Sequence, residues 1–203
     1  MADQNLGIQE QHARRDGPFL ITGLGNPGRE FEHNRHNVGF MLINRLSVKF
    51  GESFGQVKSR ALVATTRYLE TRIILAKPQT YMNDSGRAVR SLVNYYKVPL
   101  ENLLVVYDDV DLPLGSLRLR PSGGSAGHKG MQSIIDHLGT QDFARLRIGT
   151  GRPPGKKEAA DYVLQDFPRE AMDIVNQTLD RAVEAVLTYL QYSLEHAMNL
   201  FNN

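Results

Sequence analysis

Two hydrophobic periods run along this chain, and the switches between them mark its elements. Residues 19–24, FLITGL, form a short apolar run closed by glycines, which predicts a buried first strand. Over residues 38–50 the apolar positions Val38, Met41, Leu42, Leu46 and Phe50 recur at helical spacing. RALVATTRYL and RIILAKP read as two strands turning near residues 70–71, a hairpin. A helix is predicted over residues 83–96, with Val89, Leu92, Val93 and Tyr96 on one face. LLVVYDD is continuously apolar until its acids, the pattern of a central strand covered on both sides. LRLR alternates, so Arg118 and Arg120 share one strand face, and FARLRIGTG does the same for Arg145 and Arg147. Residues 128–138 form a short helical pattern between them, with Met131, Ile134, Ile135 and Leu138 inward, and helical patterns run from residue 170 to the end. Strands interspersed with helices predict an α/β protein, and the hairpin and LRLR make its sheet mixed.

With 203 residues and no repeat or linker, the expectation is one domain over residues 18–203 behind a polar, poorly ordered tail of residues 1–17. The absence of cysteine excludes thiolate nucleophiles, disulfides and Cys-based zinc sites, and fits a reducing compartment. No apolar run approaches the ~20 residues that span a bilayer, so no membrane partner is expected. The tail lacks the apolar stretch of a secretory signal, and Asp3, Glu10 and Asp16 argue against a mitochondrial presequence. Net charge is only +2, but it is unevenly spread. From Arg118 to Lys157 eight cations, Lys156 and Lys157 among them, face two acids; from Glu158 onward eight acids face two arginines. That asymmetry favours one face for a polyanion and another that stays solvated.

The segment GLGNPGREFEHNRHNVG carries two competing signals. Its glycines match the G-x-G-x-x-G spacing of a dinucleotide turn, but such a turn opens directly into a helix that holds the pyrophosphate. Here a polar stretch follows Gly28, and no acidic residue ends a second strand about 20 residues on. What remains is a glycine-framed loop carrying Asn26 at a strand end, where α/β proteins place their sites. His36 stands where a helix begins, a setting that disfavours imidazolium and suits a base, though a turn histidine fits equally. His33 and His36 form H-x-x-H without a third ligand at a motif spacing. Asp108, Asp109 and Asp111 follow the apolar strand; one of them can hold a histidine tautomer, bind magnesium or simply make a turn. Asn83 reads as a functional amide or a helix N-cap, and GGSAGHKG, ending in His128 and Lys129, as a phosphate-binding loop or a plain turn. With no G-x-S-x-G elbow and no cysteine, a water-activating base is the simpler chemistry.

GLGNPGREFEHNRHNVG, KPQTYMNDSG, YDDVDLPLG, GGSAGHKGMQSI and LRIGTGRP occur in one order, and together they resemble the bacterial peptidyl-tRNA hydrolase family from Phe19 to the C-terminal helices. The resemblance implies a single mixed-sheet α/β globule that hydrolyses the ester between peptide and tRNA, recycling tRNA from aborted translation. It implies a cytoplasmic monomer with no metal and no cofactor, whose partner is peptidyl-tRNA, gripped at its acceptor end and 5′ phosphate. On the matching positions it implies His36 as base, Asp108 as its orienting carboxylate, and Asn26 and Asn83 as amides that position substrate and water. Phe31, Asn37, Tyr81, Met82, His128 and Lys129 fall on the substrate side, with Arg118, Arg120 and Arg147 on the tRNA phosphate.

Two positions depart from the family pattern. Lys129 stands where asparagine is usual, and an ammonium donates hydrogen bonds without accepting them. Phe31 replaces a common tyrosine and removes a hydroxyl. Two rival readings follow from the residues: an RNA-binding protein on this fold without hydrolysis, and a metal-dependent hydrolase built on His33, His36 and the aspartates.

Overall fold

The computed structural model describes residues 16–153, 155 and 158–202. Most of the expected N-terminal tail, and Lys156 and Lys157 of the cationic segment, lie outside the described residues. Seven strands form one mixed sheet: β1 (Phe19–Gly23), β2 (Val57–Lys58), β3 (Ala61–Tyr68), β4 (Thr71–Pro78), β5 (Leu103–Asp109), β6 (Leu117–Arg120) and β7 (Ala144–Gly149). Their order is β2-β3-β4-β1-β5-β7-β6. The four central strands run parallel, and antiparallel partners close both edges. The predicted hairpin is β3–β4, turning through Leu69 and Glu70, both with positive φ.

Among the described residues there are six helices: α1 (Val38–Lys49), α2 (Ser85–Tyr96), α3 (Lys129–Leu138), α5 (Met172–Gln191) and α6 (Leu194–Phe201) pack on the sheet, and the short α4 (Ala159–Val163) lies against the turn before α1. One apolar layer joins Ile21, Leu104, Val106, Leu146 and Ile148 to α1, α5 and α6. The other joins Leu20, Leu103, Val105 and Tyr107 to α2 and α3. All seven residues of β5 are buried, because both faces of this central strand are covered. The α/β class and mixed sheet read from periodicity are therefore those observed.

Two glycines decide where the site forms. A Cβ on Gly23 would lie 2.2 Å from the Gly39 carbonyl oxygen, and one on Gly39 would lie 2.5 Å from the Leu24 nitrogen. Without side chains there, the first turn of α1 lies directly on the end of β1. The short 3-10 turn Arg35–Asn37 just before α1 is thereby carried to the C-terminal ends of β1 and β5. Open α/β sheets place ligands at those ends.

Candidate active site

A cleft of about 550 Å³ opens at these strand ends. Asn26, His36, Tyr81, Met82, Asn83, Asp108, His128 and Lys129 all line it, from five separate stretches of chain. Asp108 is the penultimate residue of β5 and only 3% exposed. Its Oδ1 lies 2.8 Å from His36 Nδ1 and 3.0 Å from His128 Nε2. Burial by itself would raise this carboxyl's pKa, but the facing imidazoles of His128 and His36, with their hydrogen bonds, outweigh it. The group is held well below the usual carboxylate range, so it is an anion and accepts from both rings.

Those bonds fix both tautomers. His128 is the N-cap of α3, and its Nδ1 accepts from the Met131 backbone N–H at 3.2 Å. Nδ1 therefore carries no proton, and Nε2–H donates to Asp108. His36 donates through Nδ1, which leaves Nε2 with its lone pair and no protein partner among the described residues. Of the two rings, His36 alone offers the cleft a basic nitrogen. The H-x-x-H pairing with His33 does not form: His33 is exposed, and His128 is the second ring at Asp108.

The other acids are already engaged. Asp109 pairs with Arg147 and accepts from the Asp111 backbone N–H, while Asp111 lies 2.8 Å from Arg152. They form no shared magnesium cradle. Among the described residues, His36, Asp108 and His128 place donor atoms within 4.8 Å of one another. Both histidine nitrogens in that group hold the protons given to Asp108, so a metal there would have to displace them.

The amides divide by role. Asn26 Oδ1 accepts from the Met82 N–H at 2.8 Å, tying the β1 loop to the turn Met82–Asp84. Its Nδ2 has no protein partner among the described residues. Asn83 is exposed, lines the cleft and makes no capping bond; Asp84 occupies the N-cap position of α2, so the capping explanation fails. Asn37 requires a correction. Expected on the substrate side, it is 2% exposed, and its Oδ1 and Nδ2 are both bound to the Asn26 backbone at 2.9 Å. It frames the Asn26 loop and has no face toward the cleft. Phe31 also stands outside the cleft lining, on the preceding 3-10 turn Arg29–Phe31.

Arg118, Arg120, Arg145 and Arg147 share one face of β6–β7, paired Arg118 with Arg147 and Arg120 with Arg145. Arg145, which the alternation placed on this face, is not available to a ligand. It is 1% exposed, and its guanidinium binds the carbonyls of Gly123, Gly124, Gln141 and Phe143. It pins the GGSAG loop by carbonyl oxygens. The other three stay at or near the surface.

Three contributions were not read from sequence. The His128–Asp108 bond needs α3 and β5 side by side, although an N-terminal histidine on a predicted helix was a visible sign. Tyr107 stacks edge-on to His128, with ring centroids 4.9 Å apart, and the outer wall comes from Ala159, Ala160, Val163 and Leu164 on and beside α4. Only packing reveals these.

An imidazole held by a buried carboxylate, with Asn83 and the open Nδ2 of Asn26 beside it at the ends of parallel strands, is chemically suited to activating water, and fold and site together fit a hydrolase of α/β architecture. The chain belongs to the peptidyl-tRNA hydrolase family, whose model matches residues 20–203. It is 47% identical to the peptidyl-tRNA hydrolase of an Exiguobacterium species, over 90% of this chain and 98% of that protein. The chloroplastic peptidyl-tRNA hydrolase of Arabidopsis thaliana is 50% identical over 83% of this chain and 59% of its own. The crystal structure of peptidyl-tRNA hydrolase from Acinetobacter baumannii superposes with a TM-score of 0.86 at 33% identity, over 91% of this chain and 94% of that one. The 5′-methylthioadenosine nucleosidase of Arabidopsis thaliana, at 10% identity and a TM-score of 0.55, shares the fold alone. These likenesses do not favour the non-hydrolytic RNA-binding alternative. No helix of the described residues is long and apolar enough to cross a membrane.

Proposed function

We propose that this chain is a peptidyl-tRNA hydrolase, a cytoplasmic monomer that cleaves the ester joining a peptide to the tRNA 3′ ribose and so returns tRNA to translation. The observation that carries the reading is the His36–Asp108 contact, which leaves His36 Nε2 open to the cleft beside Asn83. His36 takes a proton from water, the water oxygen attacks the ester carbonyl, and Asp108 stabilises the imidazolium that forms. Asn83 or a backbone N–H faces the developing oxyanion, and the protonated ring returns its proton to the leaving ribose oxygen. An ester needs less leaving-group help than an amide, so this small set suffices. Asn26 Nδ2 is available to hold substrate, and Tyr81 and Met82 form part of the peptide-side wall. Lys129, at the first position of α3 and on the cleft lining, donates to a substrate carbonyl or phosphate where an asparagine would also accept.

The test is release of the acyl group from N-acetyl-aminoacyl-tRNA beside the same tRNA carrying an unblocked amino acid, with EDTA present. Cleavage of the blocked substrate alone is the expected result. Loss of activity in EDTA, restored by a divalent metal, would replace this mechanism with a metal-dependent one.

The arginine face supports a phosphate contact at the tRNA end. Tyr107 of the cleft lining lies in register with Arg147, and Arg147 with Arg118, so one row leads from the cleft to the sheet edge. Like charges directly opposed across strands are unfavourable, and among the described residues Arg147 is the one of the four that forms a salt bridge, with Asp109. A phosphate resolves the opposition, because guanidinium forks bind its oxygens bidentately. Arg120→Ala is expected to weaken tRNA binding and lower the slope of log K against log salt by about one. An unchanged slope would take Arg120 out of the contact.

A further inference from the structure

Arg35, inside the HNRHN motif, is not used by the mechanism above, yet it is a charged residue only 7% exposed. Its Nη1 donates to the carbonyl oxygens of Asp166 at 2.9 Å, Gln165 at 3.0 Å and Tyr162 at 3.4 Å. Its guanidinium carbon sits 4.0 Å from the Tyr162 ring centroid and 5.5 Å from that of Phe167. These carbonyls come from the end of α4 and the residues after it, where a cation meets the negative end of the helix. No carboxylate pairs with Arg35 among the described residues; carbonyls and rings hold it.

The backbone repeats the tie. Arg35 N–H donates to the Gln165 carbonyl at 3.1 Å, Phe167 N–H to the His33 carbonyl at 3.2 Å, and Asn34 bridges to Asp166. Tyr162 in turn donates its hydroxyl to the Thr150 carbonyl at 3.2 Å. The turn Arg35–Asn37, which carries His36, and the end of α4 are therefore one assembly. Ala159, Ala160, Val163 and Leu164 of that assembly line the cleft, giving it an apolar wall.

We infer that Arg35 is a positioning residue that holds the apolar wall of α4 in register with His36, so that the acyl side chain of the substrate is seated by the same turn that carries the base. The inference rests on the hydrolase reading above. A wall released at its far end still encloses the cleft but grips an apolar side chain less firmly. The effect falls on binding, and it grows with the size of the residue seated there. The His36–Asp108 bond involves neither α4 nor Arg35, so the chemical step keeps its base.

Steady-state hydrolysis of N-acetyl-phenylalanyl-tRNA and N-acetyl-glycyl-tRNA, with hydrogen exchange on the free protein, tests this. Arg35→Gln is expected to raise KM for the phenylalanyl substrate about tenfold and for the glycyl substrate much less. The kcat of both should change little, and amides of residues 159–166 should exchange faster while those of α2 do not. Arg35→Lys, which keeps the charge and one donor nitrogen but loses the planar guanidinium against the rings, should fall between. Tyr162→Leu removes the ring but leaves the carbonyls, and it should move KM in the same direction should Arg35→Gln fail to fold. Equal KM changes for the two substrates, or a loss confined to the active fraction with unchanged exchange, would overturn the inference. If the wild-type chain hydrolyses neither substrate, the hydrolase reading fails, while the exchange data still decide whether Arg35 holds α4.

Discussion

Replacing His36 with Ala is expected to lower kcat for N-acetyl-aminoacyl-tRNA by roughly 10²-fold or more, with KM changed by less than about threefold. The size of the loss follows from the lack of a substitute. His128, the nearest ring at 4.9 Å between centroids, has Nδ1 spent on the Met131 N–H and Nε2–H spent on Asp108. To act as a base it would have to give up either the cap of α3 or its bond to the carboxylate. His33 is exposed and outside the cleft lining. No other imidazole lines the cleft among the described residues. Substrate binding depends on other groups, so KM moves little. Added imidazole should restore part of the rate, because the ring leaves a space beside a carboxylate that still accepts an N–H. Activity within tenfold of wild type would mean that the proton goes elsewhere.

The fold was legible where one period dominated. LLVVYDD had the pattern of a strand buried on both faces, as β5 is, and LRLR put two arginines on one side of another. Apolar spacing located α1, α2 and α3 to within about two residues at each end, and His128, read as opening the third, caps it instead. Five residues of α4 were not legible, because AADYV is too short to show a period and is held by a distant arginine rather than by its own pattern.

The site divides along a similar line. His36, Asp108, Asn26 and Asn83 were legible as residue types in suitable places, and the cleft brings all four together. Side chains committed to the backbone were not. Asn37 and Arg145 look as available in sequence as Asn83 and Arg147, yet both are spent on backbone groups that only the folded chain presents. Arg35 likewise passes for a solvated cation until α4 is placed over it. A polar residue in a motif is as often the frame of a site as its working part, and burial tells the two apart.

Asp108→Asn separates charge from shape at this site. The amide is nearly the size of the carboxylate, yet it cannot accept on both of its polar atoms. Wild-type Oδ1 receives N–H bonds from His36 and His128 together. If the new oxygen keeps that place, the imidazolium formed during proton abstraction has no counter-charge. If the NH₂ group takes it, His36 must turn its Nδ1 lone pair inward, and the proton then sits on Nε2, where the base is needed. Either arrangement costs kcat, by roughly 10²-fold or more, with KM much less affected. Stability supplies an independent readout. Because the folded carboxyl is held below its usual range, the folded state binds fewer protons than the unfolded state between the two pKa values. Stability from this group is therefore fully present above the unfolded value, near pH 4, and is lost as pH falls toward the folded one. Urea unfolding should show Asp108→Asn less stable than wild type above about pH 5, with the margin narrowing below about pH 4. A margin that stays constant down to pH 3 would mean the carboxylate is not what the two histidines hold, and a kcat near wild type would remove Asp108 from the proton's path.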